Sequence, residues 1–120
     1  MDNLALGGRS ILIVEEEPLI ILELEERFTL AGANVLAAAK LQEALHLAEH
    51  PALSAAVLNL RLGSDHTRAV CRRLSHLGIP FMFYTRYDPT EASQSWPEAP
   101  VVSKPADSQM VVRAVAELLH

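Results

Sequence analysis

The chain has 120 residues, enough for one domain with a real core, and half of them are apolar against 21% charged, the balance of a soluble globular protein. A net charge of −5 and a pI near 5.4 argue against a nucleic-acid surface, which is usually basic. No apolar run approaches membrane-spanning length, and no signal peptide is expected at Met1–Ser10, which lacks both a basic leader and a long apolar stretch.

Cys71 is the single cysteine, so no internal disulfide forms, and a reducing cytoplasm is the expected compartment. Residues 1–9, with Gly7-Gly8, read as a flexible leader to a single domain over 10–120. Ile11-Leu12-Ile13-Val14 is a short apolar strand ending in Glu15-Glu16-Glu17. Pro18 then suits the first turn of a helix, along which Ile20, Leu24, Phe28 and Ala31 recur at helical spacing. Gly32 stops that helix. Asn34–Ala38 is a weak second strand, followed by a helical stripe of Leu41, Ala44, Leu45 and Ala48 that Pro51 terminates. Ala55-Ala56-Val57-Leu58 is a third strand, ending in Asn59, and a loop runs from Leu60 to about Asp65. Val70, Leu74 and Leu77 line the next helix, closed by Gly78.

Phe81-Met82-Phe83-Tyr84 is a fourth strand, ending in Thr85. Between Arg86 and Pro100, the prolines at 89, 97 and 100 leave room for only a turn or two of helix within 90–95. A fifth strand, Val101-Val102-Ser103, delivers Lys104-Pro105, and Asp107 or Ser108 caps a last helix carrying Val111, Val115, Leu118 and Leu119. Strands alternating with helices imply βαβ units with right-handed crossovers, hence a doubly wound parallel sheet of about five strands.

Four strands thus deliver an acidic pair, an amide, a hydroxyl and an ammonium to the carboxyl edge, where open α/β sheets bind ligands. Over nearly the whole chain this constellation resembles the receiver domain of bacterial two-component response regulators. The resemblance implies a three-layer α/β sandwich with the flavodoxin-like strand order 2-1-3-4-5 and a shortened fourth helix. In that family, the third strand ends in an aspartate that takes a phosphoryl group from a histidine kinase. Carried over by position, Glu15 and Glu16 are the acidic pair that helps hold magnesium, and Arg61 contributes a backbone carbonyl to the metal. Thr85 and Lys104 are the groups that contact the phosphoryl oxygens, and Asn59 occupies the acceptor position.

Phosphoryl transfer to a carboxylate needs an oxygen nucleophile, a divalent cation and fixed donors. The Asn59 amide offers an oxygen acceptor but no nucleophile. Two like charges about 4 Å apart repel by roughly 1 kcal/mol in water and about 4 at an effective dielectric near 20. Replacing an aspartate by Asn59 relieves repulsion of that order while removing a hard oxygen from a cation that demands near-ideal octahedral geometry. The expectation is a stable apo fold with weak or absent magnesium binding, no other cofactor and no enzymatic activity.

Tyr87 resembles a residue of a receiver subgroup with a Phe-x-Thr-Gly-Tyr segment, though Arg86 replaces the glycine here, and Tyr87 is a candidate switch or partner contact. The usual switch aromatic is absent, since its position is Val101. Asp65 and His66 read as a solvated turn and helix cap, His46 and His50 as a solvated helix face, Cys71 as a core side chain, and Trp96 as either an anchor or an exposed contact. The resulting expectation is a stand-alone receiver of a two-component or phosphorelay system, acting without aspartyl phosphorylation as a protein-interaction module. Its expected partner is a histidine kinase or another two-component protein, docked on the first helix and the loop after Thr85. The family also implies a homodimer as one state; no nucleic acid or membrane partner is expected. Two alternatives stand beside it: an ordinary receiver carrying an introduced Asp-to-Asn substitution, and a small flavodoxin-like enzyme or ligand-binding domain. The last would need a Gly-rich phosphate loop after a strand, and Gly7-Gly8 precedes one.

Overall fold

Five of the strands carry apolar side chains on both faces, and such strands are stable only when both faces are covered. The computed structural model, which describes residues 4–86 and 89–120, covers them with helices on either side. In chain order the elements are β1 (Ser10–Val14), α1 (Pro18–Leu30), β2 (Asn34–Ala38), α2 (Leu41–Leu47), β3 (Leu53–Leu58), β4 (Arg61–Leu62), β5 (Asp65–His66), α3 (Arg68–His76), β6 (Phe81–Thr85), α4 (Pro89–Ser95), β7 (Val101–Ser103) and α5 (Ser108–Leu119). The main sheet is parallel in the order β2-β1-β3-β6-β7. With the short β4–β5 ribbon set aside, this is the 2-1-3-4-5 order that the sequence implied.

Alternate side chains of each strand enter opposite layers of core. Leu12 and Val14, Ala56 and Leu58, and Phe81 and Phe83 pack with Ala44, Val70, Cys71, Leu74 and Ala92 beneath α2, α3 and α4. Ile11 and Ile13, Ala55 and Val57, and Met82 and Tyr84 pack with Leu24, Phe28, Val111 and Val115 beneath α1 and α5. Each fully buried Leu, Ile or Phe contributes about 1.5–3 kcal/mol. Small residues at Ala55 and Ala56 let the helices approach the central strand closely.

Helix boundaries follow local chemistry. Pro18 opens α1, Ala31 caps its end, and Gly32 follows at φ +92°, where a Cβ would also lie 2.9 Å from that of Leu4. Asp107 caps α5 by accepting the Gln109 N–H at 2.9 Å. The fourth helix is short, as the prolines around it dictate: α4 has seven residues and buries only Ala92.

The structure corrects several expectations. Within the leader Leu6 is wholly buried against α1 and α5, and its N–H donates to Ala31 O at 2.9 Å. The loop after Asn59 is an antiparallel ribbon, Arg61 opposite His66 and Leu62 opposite Asp65, turning through Gly63 at φ +62°. His66, rather than Asp65, serves the start of α3, its Nδ1 accepting the Arg68 N–H at 3.0 Å. Leu77 is exposed, because α3 ends at His76 and leaves it in the cap. Trp96 is an anchor, half-buried edge-on against Phe81 with ring centroids 5.5 Å apart. Cys71 lies in the core, as the sequence suggested.

Candidate functional site

Strand order reverses between β1 and β3, which leaves a crevice beyond their carboxyl ends. Val14 pairs with Leu58, Leu58 with Phe83, and Thr85 with Ser103. Glu15, Asn59, Thr85 and Lys104 therefore emerge along one edge. All four are secluded: Glu15, Asn59 and Thr85 are buried, and the Lys104 side chain is 3% exposed.

An ion pair organises the edge. The Lys104 ammonium donates to Glu15 Oε1 at 2.6 Å, and Glu15 Oε2 accepts the N–H groups of Glu16 and Glu17 at 3.0 and 3.1 Å. Both carboxylate oxygens are thus engaged, one by a cation from β7 and one by the turn that starts α1. Lys104 is held in turn by its backbone N–H to Thr85 O, at 2.9 Å, and by the Tyr84 ring, whose centroid lies 5.5 Å from Nζ. Tyr84 donates its hydroxyl to Ala106 O at 3.2 Å, and burial pushes its phenol above the ordinary range.

Asn59 is fixed through its backbone. Its N–H donates to Val14 O at 2.9 Å, and its carbonyl accepts the Thr67 hydroxyl at 2.8 Å. The side-chain Oδ1 is buried with no hydrogen-bond donor among the described residues. A carboxylate held in the same way would be an unpaired buried charge, a far costlier arrangement than an unpaired amide oxygen. The neutral residue suits the site as it stands.

The sequence-derived set is only partly brought together. Glu16 is exposed, its Oε2 3.8 Å from where a Cβ on Gly63 would stand, whereas Glu15 is buried. Arg61, whose expected role is that of its backbone carbonyl, begins the ribbon directly after Leu60, and its guanidinium lies 3.6 Å from Glu91 on α4. Tyr87 lies outside the described residues. Two residues that the sequence did not single out as site groups extend the network instead. Glu17 lies 4.0 Å from the Lys104 ammonium and accepts from the Arg86 guanidinium at 2.9 and 3.1 Å. The signal for Glu17 was its place in the Glu-Glu-Glu run; its partner is 69 residues away and no spacing announces it. His66 Nε2 likewise lies 3.0 Å from Glu91 Oε1, tying the ribbon to α4.

A magnesium ion asks for several free hard oxygens in octahedral array. Here both Glu15 oxygens are committed, Glu16 is exposed beside Gly63, and Asn59 supplies no anionic oxygen. Among the described residues no three His, Cys, Asp or Glu side chains gather closely enough to hold a metal ion. In this arrangement the donor set does not fit magnesium.

The doubly wound sheet with these groups at its carboxyl edge is the fold of response-regulator receiver domains. No protein-family model matches it. The phyllosphere-induced regulator PhyR of Methylorubrum extorquens is 32% identical over 114 residues, covering 91% of this chain and 43% of that protein. The chain thus spans less than half the length of the curated relative it matches. Among solved structures, a response regulator receiver protein from Sinorhizobium medicae superposes with a TM-score of 0.84 at 24% identity, covering 92% of this chain and 94% of the other. A mutant of the anti-anti-sigma factor PhyR from Bartonella quintana gives a TM-score of 0.78 at 24% identity, over 97% of this chain and 50% of that one.

Proposed function

We propose that this receiver domain works in two-component or phosphorelay signalling as a phosphorylation-independent protein-interaction module, in the cytoplasm, through contact with a histidine kinase or another signalling protein. The observation that carries the reading is the buried Lys104–Glu15 ion pair beside a neutral Asn59. Lys104 supplies the positive charge that neutralises Glu15, so the edge is electrostatically satisfied without a phosphoryl group or a divalent cation. Magnesium binding is accordingly weak or absent. The exposed Leu19 and Leu22 on α1, together with Arg86, offer a partner-docking face, and one PhyR structure similar to this chain is described as an anti-anti-sigma factor.

The direct test incubates the protein and its Asn59→Asp variant with a small phosphodonor and magnesium, and follows intact mass. The protein as it stands gains no adduct; the variant gains an acid-labile phosphoryl group. An adduct on the unaltered chain refutes the proposal.

A further inference from the structure

On an acidic protein, α3 is a cationic surface. Its nine residues, Arg-Ala-Val-Cys-Arg-Arg-Leu-Ser-His, hold three of the chain's ten Lys and Arg residues and no acid. Val70, Cys71 and Leu74 face the core, so Arg68, Arg72 and His76 fall at i, i+4 and i+8 along the solvent side. Arg73 is neutralised by Glu49 of α2 through two hydrogen bonds, one of them from Nη2 to Oε1 at 2.8 Å. No ion pair among the described residues reaches Arg68, Arg72 or His76. Neighbouring cations on one helical face repel, and Arg68 stands in the first turn, where the helix dipole disfavours positive charge. Folding gains nothing from the placement of Arg68 and Arg72.

Beside the stripe runs a shallow groove, largely open to solvent, between α2 and α3, with Leu45 and Ala69 in its lining and Arg72, Arg73 and His76 along it. We infer that this groove binds an acidic amphipathic helix of a partner protein, whose carboxylates one turn apart pair with Arg68 and Arg72 while an apolar residue seats on Leu45 and Ala69. The spacing matches: residues four apart on a helix are about 6 Å apart along the axis, on both sides of the contact. The site begins beside the Asn59 edge, where Thr67, next to Arg68, donates its hydroxyl to the Asn59 carbonyl at 2.8 Å, and runs from there along the flank of the fold. Nucleic acid fits less well, because a phosphate backbone offers no apolar side chain to seat on Leu45 and Ala69. A second copy could offer the acidic face of α1, but unlike faces meeting in that way propagate into open-ended chains.

The test titrates the isotope-labelled chain with a synthetic acidic helical peptide carrying glutamates at i and i+4 around one leucine, followed by amide chemical shifts. Shifts concentrated at Leu45, Ala69, Arg72 and His76 are expected, with affinity weakening as salt is raised. The R68E/R72E variant should lose about tenfold or more in affinity, about 1.4 kcal/mol, and R68Q/R72Q serves the same purpose if charge reversal impairs folding. Shifts mapping elsewhere, unchanged affinity in a folded variant, tighter binding of a short DNA duplex, or self-association that the variant abolishes would each overturn the inference.

Discussion

Replacing Lys104 by methionine removes the ammonium and keeps the aliphatic stem, leaving the Glu15 carboxylate buried with only two backbone donors. Unit charges 2.6 Å apart attract by about 6 kcal/mol at an effective dielectric near 20. The desolvation of both ions offsets part of this, and breaking one partner of a buried pair costs about 3–5 kcal/mol. Both side chains are 3% exposed, so solvent screens the pair little. A loss of about 3 kcal/mol against an unfolding entropy of about 0.25 kcal/mol per kelvin, scaled to the chain length, lowers Tm by about 12 °C. Urea and thermal unfolding of Lys104→Met, Glu15→Gln and the double variant form a cycle. The double variant should be more stable than the sum of the singles predicts by about 2 kcal/mol, because it leaves no unpaired charge. A Lys104→Met loss below about 1 kcal/mol, or strict additivity, would refute the idea that this pair satisfies the edge.

Two further outcomes follow from the core. Leu6→Ala should cost about 2–5 kcal/mol in urea unfolding, as core truncations do, whereas Leu4→Ala, at a side chain 51% exposed, should cost little; equal effects would mean that the first turn is not part of the core. Burial raises the Cys71 thiol from 9.0 to about 12, so the native protein keeps it protonated and unreactive toward a thiol reagent at pH 8. Because the folded value lies above the unfolded one, its contribution is fully present below about pH 9 and is lost as pH rises toward about 12. Unfolding followed over that window should show declining stability, and a Cys71→Ala variant should show less of it.

The sheet was legible because each central strand is apolar on both faces, a pattern that only a covered parallel sheet satisfies. Lys104-Pro105 and Thr85 were legible for a similar reason: a lone polar group closing an apolar run must sit at a strand end. Leu6 was hidden, since a single leucine in a glycine-rich stretch carries no periodicity. The β4–β5 ribbon was hidden too, its strands being two residues each. Glu15 and Glu16 could not be told apart in sequence; the turn into α1 buries the first and leaves the second exposed. Pairings such as Glu17 with Arg86 depend on the finished sheet bringing distant loops together, and no local pattern encodes them.

Trp96 is the chain's one tryptophan, and it leans edge-on against Phe81 just beyond the end of α4. Its indole emission is therefore a built-in gauge of how that helix seats on the sheet, readable in solution without any added label. A partner that tilts α4 would change the colour and intensity of that light, whereas one that binds the opposite layer would leave it almost untouched.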